Sequence, residues 1–329
     1  MSAVRISTVA TNGVELVVHE AGDPANPTVV LSHGFPELAH SWRHQMQPLA
    51  DAGYHVVAPD QRGYGHSAAP LEVKAYGIEQ LTGDLAGLLD HFGKDDAVFV
   101  GHDWGAMIVW EMAKLHPARV GAVVGVSVPV VAWPAPPTQL MKMAYGDRFF
   151  YILYFQPTGP AEAELEADTE RTMAGILYGA SGPGFASVDR ATIELPPMEG
   201  TGFLTNMPAV PALPFESVEG PWLDADDLAV YACEFAHSGF FGPVSYYRNL
   251  DANFVATQHV SVADITMPSY FIGGTLDAVA VMDPTGIERM ETTLPDFRGY
   301  TMIEGAGHWT QQEAPRQFND ALLGFLRSL

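Results

Sequence analysis

Short runs of β-branched and apolar residues recur along the first 130 residues, and longer amphipathic stretches separate them. The runs occupy Thr28 to Leu31, His55 to Pro59, Ala97 to Val100 and Gly121 to Val128. Between two of them, the stretch GIEQLTGDLAGLLDHFG (77–93) repeats its apolar residues at the spacing of a helix. Strands that alternate with amphipathic helices predict an α/β fold with a mostly parallel sheet flanked by helices.

The alternation lapses from about residue 133 to about residue 257. Helical segments at 161–180 and 224–239 there flank a Pro- and Gly-rich stretch at 181–221. We expect this stretch to be a long loop without regular structure, packed over the helices through its scattered hydrophobic residues. The middle of the chain is therefore interpreted as a helical cap, or lid, covering residues 133–257.

The first pattern returns near the end of the chain. Strand-like runs occur at 267–274 and 297–305, and a final helix is predicted at 311–329. We therefore divide the chain into a first core part (1–132), the inserted cap and a second core part (258–329).

Composition and charge narrow the class of protein. The chain has 329 residues, of which 47% are hydrophobic, enough for a sizeable core. A formal net charge of −23 opposes binding to nucleic acid or to an anionic membrane surface. Cys233 is the single cysteine, so no internal disulfide can form and a reducing compartment fits.

The beginning of the chain predicts a β-hairpin around Asn12-Gly13, because apolar residues alternate on both sides of it. This pattern is unlike the unbroken apolar core of an export signal. Elsewhere, prolines interrupt the longest apolar run well before the roughly 20 residues that a membrane span needs. We expect a cytoplasmic protein that does not insert into membranes.

The string GHDWGA (101–106) places a carboxylate at a strand-to-helix junction. Gly101-His102-Asp103-Trp104-Gly105 has the form of a nucleophile elbow, in which two glycines permit a tight turn that projects the central residue above the sheet. In this interpretation Asp103 is a nucleophile. The alternative is that Asp103 only caps the helix that follows, a role that aspartate performs well.

A nucleophile in this position predicts an acid and then a histidine in loops after later core strands. Asp277 follows one of the last strand-like runs and His308 follows the other, so the chain order matches. Either residue alone could belong to a surface loop. The three together predict a catalytic triad with Asp103 as nucleophile, His308 as general base and Asp277 as the carboxylate that orients His308.

The loop after the Thr28 run carries further candidates. We expect the backbone N–H groups of Phe35 and Trp104 to form an oxyanion hole. His33 and Pro36 are secondary candidates, with His33 interpreted as a structural hydrogen-bonding residue. Glu37 is a candidate for positioning a water molecule, and a surface-loop carboxylate is an equally good interpretation.

Several strings together resemble one family. HGFPE (33–37), SWRHQ (41–45), DQRGYGHS (60–67), GHDWGA and GAGHW (305–309), with Asp277, are similar to the α/β-hydrolase-fold epoxide hydrolases over nearly the whole chain. The resemblance implies the α/β-hydrolase fold, an inserted helical cap and an enzyme that needs no cofactor or metal.

The resemblance also implies two cap tyrosines that face the nucleophile. One precedes an aromatic-Gln segment and the other lies in a Tyr-Arg string, and YILYFQ (151–156) and YYRN (246–249) match these patterns. Tyr151 and Tyr247 are therefore expected to donate a proton to the epoxide oxygen. An alignment shifted by one would exchange the roles of Tyr246 and Tyr247.

The implied reaction converts a hydrophobic epoxide to its vicinal diol. Asp103 attacks a saturated carbon and forms an ester, which water activated by His308 and Asp277 then hydrolyses. A carboxylate suits the attack because its ordinary pKa of about 3.9 leaves it ionised at neutral pH, so no base is needed to activate it.

A haloalkane dehalogenase would use the same triad and is the main alternative. It requires a halide-binding donor such as an Asn where this chain has Phe35, and a fluoroacetate-type enzyme would have Arg in place of Trp104. A non-enzymatic binding protein of the same fold is a further alternative, although such proteins usually lack a triad member.

Two other kinds of binding site, for a dinucleotide and for a metal ion, match the sequence only in part. RGYGHSA (62–68) resembles a dinucleotide-binding loop, but Ala69-Pro70 follows where a helix should begin. His40 and His44 have the spacing of metal ligands on a helix, but no third ligand is evident.

The sequence leaves open the natural substrate, the regio- and enantioselectivity, a role in detoxification, lipid metabolism or biosynthesis, and whether a homodimer forms.

Overall fold

The computed structural model describes residues 4–188 and 194–329. The strands in these ranges are β1 (Arg5–Thr11), β2 (Val14–Ala21), β3 (Thr28–Ser32), β4 (His55–Pro59), β5 (Ala97–His102), β6 (Val120–Val126), β7 (Phe215–Ser217), β8 (Gly220–Leu223), β9 (Ser269–Gly274) and β10 (Phe297–Ile303).

The α-helices of the same ranges are α1 (Arg43–Asp51), α2 (Ile78–His91), α3 (Trp104–Leu115), α4 (Pro137–Tyr145), α5 (Tyr151–Tyr154), α6 (Pro160–Leu165), α7 (Thr169–Ala180), α8 (Gly182–Ala186), α9 (Ala225–Ser238), α10 (Phe241–Arg248), α11 (Leu250–Ala256), α12 (Ala278–Met282), α13 (Gly286–Thr293), α14 (Thr310–Glu313) and α15 (Pro315–Leu326). Short 3₁₀ helices lie at Ala39–Trp42, Val73–Tyr76, Pro117–Arg119, Leu204–Asn206 and Val262–Asp264.

A mostly parallel sheet organises the chain, as predicted. Its order is β1-β2-β4-β3-β5-β6-β9-β10. The first pair is the hairpin expected around Asn12-Gly13, with Thr11 opposite Val14. β2 also runs antiparallel to β4, and the strands from β4 to β10 pair in parallel. The carboxyl ends of β3, β5, β9 and β10 therefore meet at one edge of the sheet.

Helices cover both faces of the sheet, so the central strands are buried on both sides. In β3, Val30 belongs to the core that includes Leu85 of α2 and Ile108 of α3. Val29 and Leu31 point the other way, into a core with residues of α1 and α15. This alternation follows from the period of two in a strand.

Two predicted helices are each divided in the structure. Segment 161–180 forms α6 and α7, because the Asp168 side chain accepts a hydrogen bond from the Arg171 N–H and caps a new helix. The final helix is interrupted at Ala314, whose φ is −135°. The next residue is Pro315, and a proline disfavours helical geometry in the residue before it.

The expectation that 181–221 lacks regular structure is wrong. This stretch contains α8, a 3₁₀ turn at Leu204–Asn206 and the β7–β8 hairpin, in which Phe215 pairs with Leu223. Residues 189–193 of the expected loop lie outside the described residues. Elements of three to five residues are too short to show a period in the sequence, but buried aromatic residues such as Phe215 and Trp222 hold the hairpin in place.

Helices α4 to α11 and the β7–β8 hairpin all lie between β6 and β9 in the chain. Their buried side chains, among them Phe155, Leu177 and Phe235, share one hydrophobic cluster with Phe35 and Trp104 of the core loops. These helices are thereby packed over the edge of the sheet where the candidate residues were expected. Within the described ranges, no helix is both long enough and apolar enough to traverse a membrane.

Candidate active site

Asp103 occupies a strained turn between β5 and α3. Its φ is +52° and its ψ is −116°, a backbone conformation that residues other than glycine rarely adopt. The flanking glycines are required by close contacts, because a Cβ on Gly101 would lie 2.1 Å from the Gly105 oxygen and one on Gly105 would lie 2.0 Å from the Ser32 oxygen. This is the turn that the two glycines of GHDWGA predict.

The helix-cap alternative for Asp103 does not hold. Within the described chain, its side chain makes no capping hydrogen bond to α3. Its Oδ1 instead accepts a hydrogen bond of 2.8 Å from the Phe35 N–H. The carboxylate therefore faces the loop after β3 and not the helix that it precedes.

The His308 ring lies between Asp103 and Asp277, although the three residues come from loops after three different strands. His308 Nδ1 lies 3.0 Å from Asp277 Oδ1, and its Nε2 lies 3.5 Å from Asp103 Oδ2. Asp277 is fully buried, and its Oδ1 also accepts a hydrogen bond from the Val279 N–H. Because Asp277 is acceptor-only when ionised, it fixes the proton of His308 on Nδ1.

The charged forms of Asp103, His308 and Asp277 stabilise one another. Burial acts to lower the pKa of His308, but Asp277 and Asp103 outweigh it and hold the pKa well above its ordinary value of 6.5. Burial acts to raise the pKa of both carboxyls, but His308 outweighs it and holds each below its ordinary value of 3.8. At neutral pH the arrangement therefore favours an imidazolium between two carboxylates.

The loop after β3 approaches Asp103 very closely at Gly34, where a Cβ would lie 2.4 Å from the Cβ of Asp103. The next residue, Phe35, donates its N–H to Asp103, and a cis peptide bond joins it to Pro36. Trp104 begins α3, so its N–H is one of the first-turn amides that have no partner inside a helix. The Phe35 N–H therefore contacts the carboxylate, and the role of the Trp104 N–H in an oxyanion hole stays a prediction.

A cavity of about 490 Å³ opens above Asp103, and both predicted tyrosines line it. Tyr151 begins α5 and Tyr247 lies near the end of α10, and their ring centroids are 5.8 Å apart. Tyr247 also packs edge-on against Trp104 and Phe35, at 5.1 and 5.3 Å. Burial and the negative charge of Asp103 raise the pKa of both phenols.

The neighbouring tyrosines are used differently. Tyr246 is fully buried and donates its hydroxyl hydrogen to the Arg62 carbonyl at 2.9 Å. Tyr154 donates to Glu164 Oε2 at 2.9 Å. The alignment of Tyr247, and not Tyr246, with the nucleophile is therefore the one that the geometry supports.

Glu37 is not a surface-loop carboxylate, because its side chain is fully buried. It accepts hydrogen bonds from the Gly34 N–H and from His102 Nδ1. The other nitrogen of His102 donates to the His308 carbonyl at 2.7 Å. Glu37 is thereby connected to the backbone of the triad histidine through His102.

His102 and the glutamines that contact Glu37 are not among the site residues predicted from the sequence. Gln311 and Gln312 each donate a side-chain hydrogen bond to Glu37 Oε1, at 2.9 and 3.2 Å. The sequence did contain a signal for them, because His102 is a polar residue inside the elbow motif and Gln311 and Gln312 are a polar pair shortly after His308. Burial turns these residues into one hydrogen-bonded network.

His33 is held as a neutral imidazole. Its Nδ1 donates to the Gly34 carbonyl at 3.0 Å, and its Nε2 accepts from the Gln61 N–H at 3.0 Å. Burial lowers its pKa to about 4. These contacts agree with a structural role for His33.

His40 and His44, the two histidines with the spacing of metal ligands, have different surroundings. His40 Nε2 pairs with Asp227 Oδ1 of α9 at 2.7 Å, and burial lowers the pKa of His44 to about 4. Among the residues that the structure describes, no three His, Cys, Asp or Glu side chains converge on a potential metal position.

The sheet order, the strained elbow and the loops that bring Asp103, Asp277 and His308 together define an α/β hydrolase. In agreement, the family model described as alpha/beta hydrolase fold matches residues 27–315. The sequence is 46% identical over 330 residues to Epoxide hydrolase A of Mycobacterium tuberculosis, covering 100% of this chain and 99% of that protein. It is 36% identical to Bifunctional epoxide hydrolase 2 of Mus musculus, covering 96% of this chain and 54% of that protein.

Solved structures give the same result. The crystal structure of Epoxide Hydrolase A from Mycobacterium thermoresistibile matches with a TM-score of 0.91 and 46% identity, over 99% of each chain. An epoxide hydrolase from an endophytic Streptomyces matches with a TM-score of 0.90 and 36% identity, over 99% of this chain and 96% of that one. The chain belongs to the α/β-hydrolase-fold epoxide hydrolases, a family of hydrolytic enzymes. The fold class and the resemblance inferred from the sequence are thereby confirmed.

Proposed function

We propose that this enzyme converts a hydrophobic epoxide to its vicinal diol through an ester formed on Asp103. One observation carries the proposal: the Asp103 carboxylate and the phenols of Tyr151 and Tyr247 line the same cavity. Opening an epoxide requires a nucleophile for carbon and an acid for the ring oxygen. A dehalogenase needs no proton for its leaving halide, so the paired phenols favour an epoxide.

In the first half-reaction, Asp103 Oδ2 attacks one epoxide carbon and the bond from that carbon to the ring oxygen breaks. Oδ2 is the attacking atom because Oδ1 is held by the Phe35 N–H. The ring oxygen takes a proton from Tyr151 or Tyr247 as negative charge develops on it. The raised pKa of these phenols keeps them protonated until the far more basic alkoxide forms.

In the second half-reaction, His308 Nε2 removes a proton from water, which attacks the ester carbonyl carbon of Asp103. The carbonyl oxygen is Oδ1, and the N–H groups of Phe35 and Trp104 would stabilise the oxyanion that develops there. The bond between the carbonyl carbon and Oδ2 then breaks, and His308 passes one water proton to the departing alkoxide oxygen, which completes the diol. The second water proton remains on His308, so the Asp103 carboxylate and the His308 imidazolium of the free enzyme are both restored. Asp277 stabilises the imidazolium throughout.

The ester itself would prepare His308 to act as a base. The negative charge of Asp103 is one of the causes that hold the pKa of His308 high in the free enzyme. Esterification removes that charge, so the pKa of His308 falls, and the imidazolium gives up its proton, which passes through solvent to the phenolate that the first half-reaction leaves. The base is thereby activated at the step that needs it.

The walls of the cavity agree with an apolar substrate. Besides the reactive groups, residues such as Val128, Leu140, Met141 and Ile152 line it. Division of the chain into the core parts 1–132 and 258–329 and a cap of 133–257 is part of this proposal, as is a cytoplasmic location. The cap would supply the phenols and exclude water from the cavity.

Incubation of the enzyme with styrene oxide and, separately, with 1-bromobutane tests the proposal. We expect diol from the epoxide and no bromide release. A single turnover in ¹⁸O-labelled water should place the label first in Asp103, because water attacks the ester carbonyl and not the substrate carbon. Bromide release without diol, or label appearing directly in the diol, would overturn the proposal.

A further inference from the structure

One face of α3 runs away from the nucleophile and changes character along its length. Trp104, Met107, Glu111 and Lys114 are spaced by three, four and three residues, so they form a single stripe on the helix. The stripe is apolar next to Asp103 and charged at its far end. Glu111 lies eight residues beyond Asp103, which is about 12 Å along a helix.

A second cavity, of about 750 Å³, lies along this stripe. Trp104, Met107 and Glu111 line both it and the cavity above Asp103. The second cavity is more polar, because Asn253, Thr257 and Ser261 also line it. The two spaces therefore adjoin across one helix face, with the apolar part at the reacting atoms and the polar part farther away.

Glu111 and Lys114 form a partly buried ion pair at this polar end. Lys114 Nζ donates to Glu111 Oε1 at 2.5 Å, and the side chains are 6% and 21% exposed. Glu111 Oε2 is buried and has no hydrogen-bond partner among the residues that the structure describes. An ammonium group has three donors, and the contact with Glu111 uses one of them.

The pair thus offers one free acceptor and further donors at a single place, while its two charges cancel. A hydroxyl group matches it, because a hydroxyl donates one hydrogen bond and accepts others. A carboxylate does not match, since it would bring a third charge to a neutralised pair. Burial raises the pKa of Glu111 more than Lys114 lowers it, which agrees with an oxygen that lacks a partner.

We propose that Glu111 and Lys114 form a polar subsite that binds a hydroxyl group of the substrate, about two turns of α3 away from the nucleophile. The substrate is then a long-chain epoxide with an alcohol at its remote end. This inference rests on the proposed epoxide hydrolysis and specifies its substrate class.

Two linear terminal epoxides of equal length test the subsite: one ends in a hydroxyl group and the other ends in a methyl group. For the wild-type enzyme we expect kcat/KM to be about tenfold higher for the hydroxyl-ended epoxide, the effect of a hydrogen bond to a charged group. The apolar pair Glu111→Leu with Lys114→Met should abolish this preference while the methyl-ended epoxide is still turned over. Glu111→Gln should reduce the preference, because the amide oxygen still accepts a hydrogen bond but carries no charge. Glu79→Gln, at an exposed glutamate of the neighbouring helix α2, is the matched control and should keep the preference.

The outcomes separate this inference from the proposed function. Equal kcat/KM for the two epoxides in the wild-type enzyme, or a preference that survives both Glu111 variants, would overturn the subsite and leave epoxide hydrolysis standing. Failure of the wild-type enzyme to hydrolyse either epoxide would overturn the proposed function and this inference with it. Thermal unfolding of each variant shows whether a lost preference comes from lost structure, and the wild-type comparison decides the matter independently of any variant.

Discussion

Asp103 and the cap tyrosines line the same cavity, but different parts of the fold place them there. Asp103, Asp277 and His308 stand on loops at the carboxyl edge of one parallel sheet, and hydrogen bonds or close ion-pair distances join them. Tyr151 and Tyr247 stand on short helices between β6 and β9, and ring packing against Phe35 and Trp104 places them. The first group is fixed by the sheet, whereas the second depends on how the cap packs.

This difference divides the chemistry. In the proposed mechanism, the sheet edge holds the groups that act in both half-reactions, and the cap provides the acid for the first half-reaction only. Changes at the sheet edge should therefore stop turnover, and changes in the cap should slow the opening of the ring.

The largest effect is expected for Asp103→Ala. Loss of the nucleophile should lower kcat by at least about a thousandfold, because no other group can form the ester. Steady-state diol formation from styrene oxide measures it. Asp320→Ala, at an exposed aspartate of α15, is the control and should retain full activity. Turnover by Asp103→Ala close to the wild-type rate would contradict the account.

Removal of both cap hydroxyls should have the next largest effect. The Tyr151→Phe, Tyr247→Phe double variant should lower kcat/KM by about a thousandfold, and each single variant by about tenfold, because one phenol can still protonate the ring oxygen. Rapid-quench measurement of ester formation isolates this step. Tyr154→Phe, on the same helix as Tyr151, is the matched control; if it slows ester formation as much as Tyr151→Phe does, the assignment of the cap acids is wrong.

A smaller effect on rate is expected for Glu37→Gln. The change removes the partner of His102, which in turn holds the His308 carbonyl, so the hydrolytic half-reaction should slow by about tenfold. The free energy of unfolding should fall by about 3 kcal/mol, as for a broken buried ion pair, and urea denaturation measures it. Glu72→Gln removes an exposed ion pair with Lys74 and should cost less than about 1 kcal/mol.

The stability part of this prediction depends on pH. Burial acts to raise the pKa of Glu37, but the charge of His102 outweighs it and holds the pKa below its ordinary value of 4.5. A lowered pKa contributes stability that is present above the ordinary value and is lost as the pH falls through the lowered one. The wild-type and Glu37→Gln proteins should therefore differ fully at neutral pH and become more alike in acid. A stability difference that grows as the pH falls below 4.5 would contradict this.

The smallest effect on rate is expected for Tyr246→Phe. Its hydroxyl binds the Arg62 carbonyl away from the cavity, so kcat should stay within about twofold of wild type. The unpaired buried carbonyl should reduce the free energy of unfolding by about 1 kcal/mol, measured by urea denaturation. A loss of activity as large as that of Tyr247→Phe would mean that the two tyrosines have exchanged roles.

The sequence predicted the sheet-edge group better than the cap. The elbow glycines, the strand runs and the order Asp103, Asp277, His308 are local patterns, and a parallel sheet brings the ends of its strands together by topology alone. The cap tyrosines needed the family resemblance, because no period or spacing relates Tyr151 to Tyr247 across almost 100 residues.

What the sequence did not predict depends on packing in three dimensions. The elements of 181–221 are too short to show a period, and a loop glutamate such as Glu37 looks the same in sequence whether it is buried or exposed. The α3 stripe shows a different limit. Its helical spacing was readable, but only the cavity beside it distinguishes Glu111 and Lys114 from an ordinary surface pair.

The most direct test of the covalent step uses His308→Ala. This variant keeps the nucleophile and the cap acids but lacks the base, so the reaction should stop at the ester. Incubation with styrene oxide should increase the intact mass of the protein by the mass of one epoxide molecule, and peptide mapping should place the adduct on Asp103. Sustained diol formation without an adduct, or an adduct on another residue, would contradict the account.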